Sequence, residues 1–98
     1  MRAYIIGAIT ADPHYLAKFA DAEMVLRERG YTVFNPACLP GGWEYETYME
    51  ADERFLRAAD VIVLLPDWRK SPGGRREHEV ATILKKRIVE YKDIGMVI

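Results

Sequence analysis

Residues Val61 to Leu65 read VIVLL, five apolar residues in a row with no polar position among them, and a proline follows. A strand with one wet face alternates apolar and polar side chains. An unbroken run asks for cover on both faces, which is the environment of a strand inside a parallel sheet. Three other short runs have strand character: Ala3 to Gly7 (AYIIG), Tyr31 to Phe34 (YTVF), closed by Asn35-Pro36, and Ile88 to Tyr91. β-Branched and aromatic residues fill them, and glycine, asparagine or proline punctuates them.

Helical segments separate these runs. Asp12-Pro13 offers a cap and a first-turn proline for a helix reaching about Arg29, with Phe19, Ala22, Val25 and Leu26 on one side and Gly30 as its stop. A second helix is expected from about Glu44 to Ala59, after the turn-rich loop PACLPGGW. A third is expected from Gly74 or Arg75 to about Arg87, after the loop PDWRKSPGG. The tail KDIGMVI has room for a fifth strand. Strand alternating with helix predicts an α/β fold of three layers, a flavodoxin- or Rossmann-like open parallel sheet of four to five strands with helices on both faces. At 98 residues the expectation is one domain spanning 1–98. In such folds ligands sit beyond the carboxyl ends of the strands, so the loops after Gly7, Phe34 and Leu65 are where function is expected.

Charge and cysteine content narrow the function classes. Fourteen basic and fifteen acidic residues leave a net charge of −1, without the basic field that nucleic-acid backbones require. Arg75-Arg76 and Lys85-Lys86-Arg87 are short clusters that read as solvated helix surface. The single Cys38 excludes an internal disulfide and a cysteine-based metal cluster, and His14 and His78 lack metal-ligand spacing. No signal-peptide pattern or membrane-length apolar run is present, so a cytoplasmic protein without metal or cofactor is expected.

Two carboxylates fall where apolar residues belong. Glu77, Val80, Ala81 and Leu84 lie at i, i+3, i+4 and i+7, one face of the third helix. Tyr48, Asp52, Phe55, Leu56 and Ala59 make a similar stripe on the second. An ionised carboxylate facing a dry core is costly unless it is paired or reaches water. Both acids lie early in their helices, at the sheet edge where strands end, so they could border one cleft. Acids near a helix start are also favoured by the helix dipole, which is the structural alternative for Glu77. Around them, Tyr4 sits in the first strand, and Ser71, Gly73 and Gly74 lead into a helix N-terminus whose free N–H groups suit an anion. Gly7, Ala8, Ile9 and Asn35 occupy the loops at the same edge. Trp43, Tyr45 and Trp68 could stack on a base or serve as lid or interface residues.

The strand ending YIIG, the Asn35-Pro36 turn, Asp52 with Asp60, VIVLLPDW, and the spacing Ser71-x-Gly73-x-x-x-Glu77-x-x-x-Ala81 together resemble the nucleoside 2-deoxyribosyltransferase superfamily. The likeness covers nearly the whole chain and is greatest to the short bacterial and phage branch of unknown function. It implies Glu77 as the nucleophile at C1′ of a 2-deoxyribosyl group, Asp52 in the active site, Tyr4 holding the nucleophile, and Ser71 and Gly73 shaping the pocket floor. It also implies a homodimer or larger assembly. Relatives that hydrolyse deoxynucleoside 5′-monophosphates carry Ser-Ile-Arg after the first glycine, where this chain has Ala8, Ile9 and Thr10. That difference weakens a monophosphate reading unless Arg69, Lys70, Arg75 or Arg76 substitutes.

The expected function is therefore cleavage or exchange of the N-glycosidic bond of a nucleoside or nucleotide through Glu77, Asp52 and Tyr4. Substrate contacts are expected from Gly7, Ala8, Ile9, Asn35, Trp68, Ser71, Gly73 and Gly74. A non-catalytic module that senses a nucleotide derivative on the same fold is the second reading, and an interaction protein using Trp43 and Trp68 the third.

Overall fold

The computed structural model describes residues 1–10 and 12–96. Strands β1 (Arg2–Ile6), β2 (Thr32–Phe34), β3 (Val61–Leu64) and β4 (Arg87–Glu90) alternate with helices α1 (Tyr15–Glu28), α2 (Tyr45–Ala58) and α3 (Pro72–Ile83). Short 3-10 turns cover Pro36–Cys38, Trp68–Lys70 and Tyr91–Met96. The sheet order is β2-β1-β3-β4, and every pair is parallel. The two central strands pair Ala3 with Val61 through Ile6 with Leu64.

Alternation along the strands sorts the core into two layers. Ala3, Ile5, Val61 and Val63 face Phe19, Ala22 and Leu26 of α1. Tyr4, Ile6, Ile62 and Leu64 face the other way, onto Leu56 of α2 and Ala81 of α3. Full burial of each large apolar side chain here is worth roughly 1.5–3 kcal/mol. VIVLL is thus covered on both sides, as its lack of alternation requires. From β1 the chain turns through α1 to β2 at one edge, and from β3 through α3 to β4 at the other. The carboxyl ends of β1 and β3 therefore form the point where strand order reverses, the usual crevice for a ligand. No helix among the described residues is long and apolar enough to cross a membrane.

Several boundaries differ from expectation. Asp12 does not cap α1: its Oδ1 accepts the N–H of His14 in a local turn at 2.8 Å, and the helix begins at Tyr15. α3 begins at Pro72, because the Ser71 hydroxyl accepts the Gly74 N–H at 3.0 Å and proline tolerates the first position. It ends at Ile83, since Lys85 turns left-handed at φ 57°. The N–H groups of Lys85 and Lys86 then close onto the carbonyls of Thr82 and Ala81, a Schellman ending with lysine where glycine is usual. In the C-terminal tail, residues through Met96 form a 3-10 turn whose Ile94 plugs the α1-side core. The sheet thus has four strands among the described residues, and the last two positions of the expected fifth lie outside them.

Candidate active site

Small residues draw the start of α3 onto the sheet. Gly73, Gly74 and Ala81 are its buried positions, and a Cβ at Gly74 would stand 2.7 Å from the Trp68 carbonyl oxygen and 3.4 Å from Ile6. Gly7 marks a second close approach, where a Cβ would meet Leu65 at 2.7 Å. One turn past Gly73, Glu77 arrives over β1. From the neighbouring helix, Leu56 anchors α2 on the same face while Phe55 stacks on Phe34 with centroids 5.2 Å apart. That docking turns Asp52 inward to 5% exposure.

Tyr4, fully buried on β1, donates its hydroxyl to Glu77 Oε2. Asp52 Oδ1 is buried and has no hydrogen-bond partner among the described residues. Burial, reinforced by the Asp52 charge and only partly offset by the Tyr4 hydroxyl, pushes Glu77 up to about 8. Burial likewise pushes Asp52 up to about 6 against the hydroxyl's opposing pull. Tyr4 is raised well above 10 by burial and then by the two carboxylates, so it stays a donor at neutral pH. Between about 6 and about 8 the pair carries one proton and one negative charge between them.

The pair stands at the wall of a cleft of about 480 Å³, a size that suits a small organic ligand. Gly7, Ile9 and Thr10 come to it from the loop after β1, and Ser71, Gly73 and Gly74 from the start of α3. Tyr15, Leu39, Tyr45, Tyr48 and Met49 supply aromatic and apolar walls. Tyr48 also steadies the rim: its hydroxyl donates to the Pro40 carbonyl at 2.6 Å and accepts the Trp43 N–H at 3.2 Å.

A charged knot holds the loop after β1. Lys18 Nζ donates to the Ala8 carbonyl and to Asp12 Oδ2, each at 2.7 Å, and to Asp67 Oδ2. Asp67 Oδ1 accepts the Ala8 N–H at 3.1 Å. Both sides of the Ala8 residue are thereby tied to the loop after β3.

Three of the expected contacts stand elsewhere. Trp68 is 7% exposed in the core beneath α3, stacked on His78 with ring centroids 4.2 Å apart, and does not line the cleft. Asn35 turns its side chain to the backbone N–H of Ala37 and to Glu23, bracing the Pro36–Cys38 turn. Ala8 faces an adjoining side pocket rather than the cleft itself. Pro72 takes one N–H from the α3 N-terminus and Ser71 Oγ another, so the expected anion cradle is mostly closed. Sequence reasoning missed Tyr15, Leu39 and Met49 as cleft residues, and Lys18 and Asp67 as the loop's anchors. Proximity of Asp67 to a strand end was the only available signal.

Among solved structures, the chain is similar to 2-deoxyribosyltransferase of Bacillus psychrosaccharolyticus, with a TM-score of 0.74 and 22% identity over 92% of this chain and 71% of that one. It is similar to a CMP N-glycosidase of Clostridium botulinum, with a TM-score of 0.70 and 20% identity over 92% and 70%. It also resembles a 2-deoxyribosyltransferase of Leishmania mexicana, with a TM-score of 0.71, 19% identity and coverage of 91% and 62%. At these identities the shared property is the fold. No curated protein sequence matches. The model of the family described as Domain of unknown function (DUF4406) matches residues 1–90, the stretch that holds Tyr4, Asp52 and Glu77, and the chain belongs to that family.

Proposed function

We propose that the protein cleaves or exchanges the N-glycosidic bond of a nucleoside or nucleotide, with Glu77 as nucleophile. The observation that carries this reading is the buried Tyr4–Glu77–Asp52 cluster, with the Tyr4 hydroxyl on Glu77 and both carboxylates at the wall of an aromatic-lined cleft. Neighbours of the same fold named for 2-deoxyribosyl transfer and for CMP N-glycosidic cleavage support it.

The chemistry follows from the pair's charge. With the sugar's C1′ at Glu77 and the base toward the tyrosines, breaking the C1′–N bond sends its electron pair to the base. The pair's single proton rests on Glu77 in the free site, so it passes to Asp52 as substrate binds. This leaves Glu77 the carboxylate, and Asp52 delivers the proton to that nitrogen. Glu77 ends the step as an ester to C1′ through a carboxylate oxygen, and until the ester forms the Tyr4 hydroxyl stabilises its negative charge. A water or a second base then attacks C1′, gives its proton to the Asp52 carboxylate, and frees Glu77. Water as acceptor makes the reaction hydrolysis; a base makes it transfer. A homodimer or larger assembly is part of the same proposal, to be read by light scattering.

The test is release of free base, followed by chromatography, from deoxynucleosides, ribonucleosides and their 5′-monophosphates, with and without an added base. Release supports the reading, and dependence on the added base separates transfer from hydrolysis. Saturable binding without release would instead favour a sensing module.

A further inference from the structure

We infer that the cleft takes a nucleoside without a phosphate group. This rests on the nucleoside reading above and names the charge state of the substrate. Among the described residues lining the cleft, the only charged side chains are Asp52 and Glu77. Every lysine and arginine of the chain lies among the described residues. A phosphate dianion entering here would meet a negative pair and tyrosine rings, with no cation to offset the loss of its hydration.

The neighbouring cations are engaged. Lys18 spends its three N–H donors on Asp12, Asp67 and the Ala8 carbonyl. Arg76 pairs with Glu46 at 3.0 Å, and Arg75 donates to the Arg69 carbonyl at 2.7 Å. The Arg69 guanidinium lies over the Trp68 ring, 4.7 Å from its centroid. Lys70 faces the adjoining pocket of about 380 Å³, which it shares with Asp12 and Asp67, and Arg76 borders a separate small space of about 70 Å³ beside Glu77, too small for a phosphate. At the start of α3, backbone donors offer little replacement. Pro72 has no N–H, that of Gly74 goes to Ser71 Oγ, and that of Arg75 goes to the Ser71 carbonyl at 2.9 Å. Only the Gly73 N–H remains in the first turn, whereas phosphate sites at helix starts use several together.

Binding of matched nucleosides and 5′-monophosphates to the wild-type chain, read from backbone amide shifts by NMR, tests this together with base release. Inorganic phosphate serves as a separate probe. Nucleosides should bind, and react, at least about tenfold better than their monophosphates, and phosphate should give no saturable shift at Gly73 or Gly74. Thr10 is exposed and borders both the cleft and the side pocket. Thr10→Arg should therefore narrow the gap by supplying the missing cation. Monophosphates bound as well as nucleosides or better would overturn the inference. So would saturable phosphate binding at Gly73, with its loss in Lys70→Ala identifying the cation responsible. If neither ligand class binds, the nucleoside reading fails and takes this inference with it; the phosphate probe still reports on the charge argument alone.

Discussion

Replacing Glu77 with Gln keeps the side chain's volume and an oxygen to accept the Tyr4 hydroxyl, while removing an ionisation that the site resists. In the unfolded chain Glu77 loses its proton near its ordinary value of 4.5; in the folded protein it does so at about 8. The folded state thus holds a proton that the unfolded state has given up. Stability from this group is full below 4.5 and declines as pH rises toward about 8. The slope is about 1.4 kcal/mol per pH unit, and the whole interval is worth on the order of 5 kcal/mol. Against the roughly 5–15 kcal/mol that hold a typical domain together, that is a large fraction. Urea unfolding followed by circular dichroism, at half-unit steps from pH 5 to 8.5, measures it. Glu77→Gln should be close to wild type at pH 5 and progressively more stable above it, by several kcal/mol at pH 8.5. Parallel stability curves across the window would refute the burial argument, because a solvated Glu77 has nothing to gain from neutralisation.

Other perturbations follow from the same contacts. Base release should be bell-shaped in pH, falling below about 6, where both acids are protonated, and above about 8, where neither can donate. Tyr4→Phe removes the hydroxyl that holds Glu77 down, so the alkaline limb should move upward and turnover fall about 10- to 100-fold, read from a pH–rate profile. Gly74→Ala drives a Cβ against the Trp68 carbonyl and should cost about 2–3 kcal/mol in urea unfolding. Lys85→Gly relieves the left-handed position after α3 and should stabilise by about 1 kcal/mol in the same assay. Lys18→Met leaves Asp12 and Asp67 without their shared cation and should speed hydrogen exchange at Ala8.

The layers of the fold were legible because hydrophobic periodicity reports burial directly. VIVLL had no polar side to turn to water, and the stripes on α2 and α3 announced which face met the sheet. The same reasoning drew attention to Asp52 and Glu77, since a carboxylate inside an apolar stripe conflicts with the pattern around it. Tyr4 was less visible: a tyrosine in a buried strand reads as packing until a partner for its hydroxyl is known. Polar side chains in loops were least legible, because no periodicity says whether a partner lies two residues away or on another loop. Asn35 and Asp12 were spent on local turns, and Lys18 reached across to Asp67 on another loop. Trp68 had two equally good places to go, core or cleft. The close approach of α3 at Gly74 puts its ring beneath the helix, and no pattern in PDWRKSPGG distinguishes that outcome.

The central claim is that Glu77 attacks the sugar. Its most direct test compares base release by wild type and by Glu77→Gln on the best nucleoside of the panel, after urea unfolding has shown the variant folded. The account predicts a fall of at least about 1,000-fold in turnover, with nucleoside binding retained. Release by the variant within tenfold of wild type would contradict it.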